Sequence, residues 1–234
     1  MPDSTIPEAS QCTPIGAGLV GRWTMDAASI SGMRLADSSG NHNDGTLVGF
    51  SSAASAPGRF GDALAYPAAG AAYVSIPHVA LNETPGGTNS VSLWFFYPSD
   101  RISNDALVLL PDAPRLDLWF TRSKYLCINT GNGDCWGIED KGLLTRWVHV
   151  VAVLVNGPIA KGNFYVDGQS RSSSCIVGIG FNICDGMSAT AGSPVLLGGP
   201  SDYPFHGMLD EVRIYNRALS SYEVSALYSG SACP

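Results

Sequence analysis

Charge is scarce in this 234-residue chain: Asp, Glu, Lys and Arg supply only 14% of it. The 13 basic residues are outnumbered by 20 acidic ones, leaving a net charge of −7, and no two Lys or Arg are adjacent. Nucleic-acid binding needs a basic stripe to displace counterions, so that class is excluded. An acidic surface gains nothing from anionic lipid. Long apolar runs are missing as well. The longest, Val148–Val155 with His149 inside it, falls far short of the ~20 residues of a membrane helix, so no direct membrane insertion is expected.

Catalytic signatures are also lacking. Sandwich glycosidases set two carboxylates across one bond, ~5–5.5 Å apart in the retaining class. No Glu-x-Asp-x-x-Glu run exists here, and Glu occurs singly at 8, 83, 139, 211 and 223. Gly-x-Ser-x-Gly and His metalloprotease motifs are absent. His149 stands between valines in a strand-like run, which reads as a hydrogen-bonded core residue and not a general base. With no CxxC pair and scattered histidines, zinc is not expected.

What is present is turn chemistry and cysteine. Gly numbers 27 and Pro 15 among 45% hydrophobic residues, a mix that suits short strands joined by many turns. Six cysteines, at 12, 127, 135, 175, 184 and 233, imply disulfides and an oxidising, secreted or cell-surface location. Six allow 15 pairings. The close spacings favour Cys127–Cys135 and Cys175–Cys184, leaving Cys12 with Cys233. Met1-Pro2-Asp3-Ser4 is no signal peptide, so an export signal or anchor is expected to lie outside this sequence.

Residues 1–17 read as a polar tail and 18–234 as one domain. Strand-like segments are predicted at 19–24, 63–66, 72–77, 90–97, 106–110, 115–120, 124–128, 146–155, 163–167, 195–197 and 209–215. Such a series with no helices between the strands predicts an all-β sandwich or barrel and not a parallel sheet. Trp147–Leu154 is apolar on both faces and should be central. In the last strand, alternation puts Asp210 on one face with Val212 and Ile214. One short C-terminal helix is predicted: Ser220 and Glu223 form a capping box, Leu219 can staple onto Val224, and Gly230 ends it.

The ordered segments GLVGRWTMD, ADSSGNHNDGTLVG, PGRFGDAL, YVSIP, SVSLWFFYP, WVHVVAV, FYVDG and FHGMLDEVRIYNRALSSYEVSALY together resemble bacterial laminin-G-like domains of the concanavalin A-like lectin and glucanase superfamily. The resemblance runs from about Gly18 to Tyr228. It implies a two-sheet antiparallel jelly-roll sandwich (concanavalin A-like) used for recognition, and a calcium site that maps onto Asp26 and Asp210.

A buried, unpaired carboxylate is costly, and calcium takes 6–8 oxygens. Asp26 and Asp210, completed by Asn41 or Asn43 from the loop Asp37–Gly45, are therefore the expected structural calcium ligands. Equally, Asp26 or Asp210 could pair with Arg22 or Arg213, or accept backbone N–H bonds at a turn. A sugar platform is expected at Trp136 in the loop Gly131–Gly142, with Asn132, Asp134, Glu139 and Asp140 around it and Tyr203 and Phe205 as a second wall. The alternative makes Trp136 a loop anchor. The function expected is carbohydrate binding without catalysis, the partner being a glycan or cell-surface protein. A structural or adhesive subunit of a pilus or fibre and a polysaccharide-degrading enzyme are the alternatives.

Overall fold

The computed structural model describes residues 15–51, 55–67, 71–77, 79–98, 104–110, 117–129, 135–156, 161–176 and 194–232. The first third holds β1 (Leu19–Trp23), β2 (Ile30–Ser31), β3 (Arg34–Leu35), β4 (Gly45–Val48), β5 (Ser55–Pro57), β6 (Asp62–Ala65) and β7 (Ala72–Ile76). The middle supplies β8 (Thr88–Phe96), β9 (Asp105–Leu109), β10 (Leu118–Phe120), β11 (Tyr125–Asn129), β12 (Cys135–Glu139) and β13 (Trp147–Val155). Then come β14 (Lys161–Val166), β15 (Gln169–Arg171), β16 (Ser174–Ile176), β17 (Val195–Gly199), β18 (Met208–Tyr215) and the helix α1 (Ser221–Ser229).

These strands form two antiparallel sheets. The first runs β15-β14-β13-β8-β18-β6-β5, with β1 also paired to β18; the second runs β16-β12-β11-β10-β9-β17-β7-β4-β3-β2. Their inner faces meet in one large apolar core. Val91, Leu93 and Phe95 of β8 and Val148, Val150 and Ala152 of β13 face Val74, Leu118, Phe120 and Leu197 from the second sheet in that cluster. The predicted sandwich is therefore observed.

β13 is central, between β8 and β14. It is apolar on its outer face too because α1 covers it: Val151 and Val153 pack with Tyr215, Leu219, Val224 and Leu227. The helix begins where the sequence places it. Ser220 Oγ accepts from the Glu223 amide, the Glu223 carboxylate accepts in return from the Ser220 amide, and Gly230 closes the helix in the left-handed region. Leu219 and Val224 sit in one cluster, as a hydrophobic staple requires. Ile15, assigned by the sequence to the tail, is buried in the same cluster.

Two features differ from the sequence expectation. The short strands β2 to β5, β12, β15 and β16 were not predicted, because two to five residues among Gly, Ser and Asp give no periodic signal. The second difference concerns the face of Asp210. Asp210 lies opposite Trp94 on β8, but the next partners are Arg213 and Ser92, so β18 carries one extra residue. Glu211 occupies that bulge with φ 50°, which shifts the alternation by one residue. Leu209, Val212 and Ile214 point inward, whereas Asp210 shares the outer face with Trp94.

Candidate functional site

The Pro57–Asp62 turn gathers the acids predicted as cation ligands. Asp210 Oδ2 accepts from the amides of Arg59 at 2.7 Å and Phe60 at 2.9 Å. Asp26 Oδ1 accepts from the Asp62 amide at 2.9 Å, and Asp62 Oδ2 from the Ala27 amide at 3.2 Å. Two glycines make this approach possible. A Cβ on Gly58 would lie 2.8 Å from Asp210 Oδ2, and one on Gly61, at φ +62°, would collide with Asp26 Oδ1. Above the turn the Arg59 guanidinium covers the Trp94 ring at 4.9 Å, and Tyr228 of α1 stacks on the same ring at 5.5 Å.

Asp210 is fully buried and its Oδ1 has no hydrogen-bond partner. Burial pushes its carboxyl up to about 7; the Phe60 and Arg59 amides pull it back, while Glu211 and Asp26 add repulsion. Neither Arg22 nor Arg213 pairs with Asp26 or Asp210 among the described residues. Glu211 takes both, at 3.3 Å from Arg22 Nη2 and 2.7 Å from Arg213 Nη2. Asn41 and Asn43, predicted to complete a calcium shell, have their amide nitrogens held by backbone carbonyls of β1: Asn41 Nδ2 donates to those of Leu19 and Val20, and Asn43 Nδ2 to that of Val20. The carboxylate of their loop that does the gathering is Asp37, which accepts from the amides of Arg22, Ser39 and Asn43. Among the described residues no three His, Cys, Asp or Glu converge as a metal cage. The donors nonetheless suit a hard cation: two carboxylates at one turn, one carrying a buried oxygen that nothing satisfies.

The sugar platform needs larger corrections. Phe205 is 1% exposed and packs edge-on against Tyr66 and Tyr97 in the core, so it cannot form a binding wall. Trp136 lies opposite Ile128 on the ladder and packs half-buried against the core. Its indole N–H donates to the Gly162 carbonyl and Ser173 Oγ. It ties β12 to the other sheet, which is the anchoring role. Tyr203 remains on the outer face of the second sheet, edge-on to Trp119 at 6.0 Å. Asn132 and Asp134 lie outside the described residues.

Cys127 and Cys135 form a disulfide within the β11–β12 hairpin, with Cα atoms 5.5 Å apart. Cys175 is also disulfide-bonded; Cys12, Cys184 and Cys233 lie outside the described residues. The hairpin is further pinned where it leaves β10. The amides of Thr121 and Asp140 donate to the carbonyls of Tyr125 and Lys124, respectively, and Lys124 takes φ 68°.

This bracing presents a cleft of which the sequence reading singled out Glu139 and Asp140 but not Tyr125, Lys141 or Arg171. Tyr125 and Glu139 lie directly opposite on the hairpin. With Lys141 they border both a 660 Å³ groove and an adjoining 410 Å³ depression. The far wall of the groove is Ser170, Arg171, Ser172 and Ser174, where the chain crosses from β15 on the first sheet to β16 on the second. Glu139, Lys141 and Arg171 are exposed and make no ion pair among the described residues. Tyr125 continues onto an aromatic strip with Tyr73, Trp119 and Tyr203 on the sheet's outer face. The usable signal was in the strand alternation: Tyr125 and Cys127 alternate with the core residues Leu126 and Ile128.

Comparison with known proteins agrees with this architecture. Residues 68–225 match the laminin-G model described as the concanavalin A-like lectin/glucanases superfamily. The chain belongs to that family. Among solved structures, this laminin-G-like chain is similar to domain 4 of AbnA, a GH43 extracellular arabinanase from Geobacillus stearothermophilus, solved in complex with arabinotriose. The TM-score is 0.58 at 23% identity, covering 90% of this chain and 98% of that one. It is also similar to Trypanosoma rangeli sialidase in complex with sialic acid, at TM-score 0.60 and 18% identity. There it covers 93% of itself and 35% of the sialidase, about a third of that protein. The botulinum neurotoxin serotype D binding domain matches at TM-score 0.60 and 12% identity, over 92% of this chain and 52% of that one. Identities this low show a shared fold. No curated protein matches the chain. Among the described residues, no helix is long and apolar enough to cross a membrane.

Proposed function

We propose that this laminin-G-like domain is a secreted, non-catalytic carbohydrate-recognition module that holds its glycan in the cleft around Tyr125. The observation that carries the reading is the cleft's composition on a braced hairpin. An aromatic ring, a carboxylate, an ammonium, a guanidinium and three serine hydroxyls border one open groove. Sugars present apolar C–H faces and a fringe of hydroxyls. A ring to stack on and a few fixed polar groups are what selects them. The charged groups strengthen hydrogen bonds to hydroxyls, because ionised donors and acceptors are roughly twice as strong as neutral ones. The complexes of the similar AbnA domain with arabinotriose and of the sialidase with sialic acid support the ligand class.

The arrangement of the described acids supports binding without bond cleavage. Glycoside hydrolysis by paired carboxylates needs two of them flanking one bond. Of the described acids bordering this cleft, Glu139 is exposed and Asp140 is buried. Asp210, the acid whose carboxyl is raised, belongs to the outer face of the other sheet. Calcium, held by Asp26 and Asp210 with carbonyl oxygens of the Pro57–Asp62 turn, serves in this reading as a structural tie. The disulfides support an extracellular setting.

A glycan array followed by calorimetry tests the reading. Binding of at least one glycan is expected, weakened more than tenfold in both Tyr125→Ala and Glu139→Gln, with no new reducing ends released from a polysaccharide panel. A blank array, or release of reducing ends by the wild-type domain, overturns it.

A further inference from the structure

The charges around the glycan cleft are unevenly set. Lys141, in the turn after β12, and Arg171, the last residue of β15, border the 660 Å³ groove from opposite walls. Lys124 joins Lys141 along the adjoining depression. All three are exposed, and none makes an ion pair among the described residues. Two acids share this border, the exposed Glu139 and the buried Asp140. Asp167, beside Val166 of the groove lining, is paired with Arg146 at 2.8 Å, and that pair cancels. Three cations against two acids leave one positive charge here, in a chain whose total is −7.

This excess has a definite chemical complement. A guanidinium presents a planar fork of donors that fits the two oxygens of a carboxylate, and an ammonium adds three more donors. Such charge-assisted bonds are roughly twice as strong as neutral ones. Glu139 stands directly across the ladder from Tyr125, so it serves the hydroxyls of the ring stacked there. Ser170, Ser172 and Ser174 flank Arg171 on the far wall, and their hydroxyls both donate and accept. One unit of excess charge matches one carboxylate on a sugar. A densely sulfated chain needs a row of cations, and no two Lys or Arg are adjacent in this sequence.

Resting on the reading that the Tyr125 cleft holds a glycan, we propose that its ligand is an acidic glycan bearing a carboxylate on the bound sugar. The carboxylate lies between Lys141 and Arg171 while the sugar ring rests on Tyr125. Lys124 adds to the positive potential over the adjoining depression.

An array carrying uronic-acid, sialylated, sulfated and neutral glycans tests the proposal, with the best hit taken into calorimetry beside its methyl ester. The ester keeps the ring and removes the charge. Carboxylated glycans are expected to lead the array, and whether the uronic or the sialylated group leads tells the two sources apart. The methyl ester should bind at least tenfold more weakly than the acid. Arg171→Ala and Lys141→Ala should each weaken the acid at least fivefold and leave the ester within twofold. Added salt should weaken the acid and spare the ester. The ester comparison uses the wild-type domain, so it stands whatever the variants do. Neutral or sulfated glycans leading the array, acid and ester bound alike, or both variants binding the acid as the wild type does, overturns this proposal and leaves the Tyr125 reading intact. A blank array overturns both.

Discussion

The two outer faces of this sandwich use polar groups in opposite ways. On the first sheet they are enclosed: Trp94 is sandwiched by Arg59, His149 and Tyr228, and Glu211 binds Arg22 and Arg213 under α1. At the β11–β12 edge of the second sheet they are open. Glu139, Lys141 and Arg171 stand exposed and unpaired among the described residues around one groove. Enclosed polar groups are committed to the fold, and their loss is felt as instability. Exposed groups on a rigid hairpin cost the fold little and are available to a ligand. The difference teaches where stability and recognition separate in one molecule.

The sharpest way to break the comparison is Trp94→Ala. It removes a ring held between Arg59, His149 and Tyr228, and large aromatic truncations cost ~3–5 kcal/mol. Urea unfolding should show a loss of that size, with glycan binding retained wherever the variant is folded. A smaller effect is expected at the helix start, where Ser220→Ala removes the cap oxygen from the Glu223 amide at a cost of ~1 kcal/mol. Thermal unfolding followed by circular dichroism checks it. Glu139→Gln, on the open side, should change stability by less than ~0.5 kcal/mol, the range of ordinary surface substitutions.

pH sharpens the same contrast. Burial first, and then the nearby Arg213, drive His149 from its ordinary 6.5 down to about 3, against the pull of Asp167. Neutral His149, with Nε2 3.0 Å from Ser92 Oγ, is thus favoured by the fold. Because its folded value is depressed, the contribution is complete above 6.5. It is lost as pH falls from 6.5 towards 3, where the unfolded chain binds the extra proton. Denaturation midpoints measured across that window should fall with acid, and His149→Phe should flatten the slope. Calcium provides the last test of the enclosed side: it should raise the melting temperature of the wild type, a chelator should reverse the gain, and Asp210→Asn should show neither response.

Much of the fold was legible because it rests on periodic, apolar segments. The long strands β8, β13 and β18 and the capped helix announced themselves by alternation and by Ser220, Glu223 and Gly230. The pairing of Asp26 with Asp210 at one turn was implied by the family resemblance. What alternation could not show was the bulge at Glu211, since one extra residue leaves no compositional trace yet moves Asp210 to the other face. Trp136 misled for a related reason. An aromatic beside a cysteine in a Gly- and Asp-rich stretch reads as an exposed loop residue. In fact β12 is a strand, and its register against β11 turns that ring inward. The cleft was hidden because its walls, around Tyr125 and around Arg171, are distant in sequence and meet only where the chain crosses between sheets.

The most direct test of recognition at the open edge is calorimetry of one array-positive glycan against Tyr125→Ala and, on the opposite face, Arg59→Ala. The account predicts a loss of affinity greater than tenfold for Tyr125→Ala and an unchanged affinity for Arg59→Ala. Equal affinities for Tyr125→Ala and wild type, or a loss confined to Arg59→Ala, would contradict it.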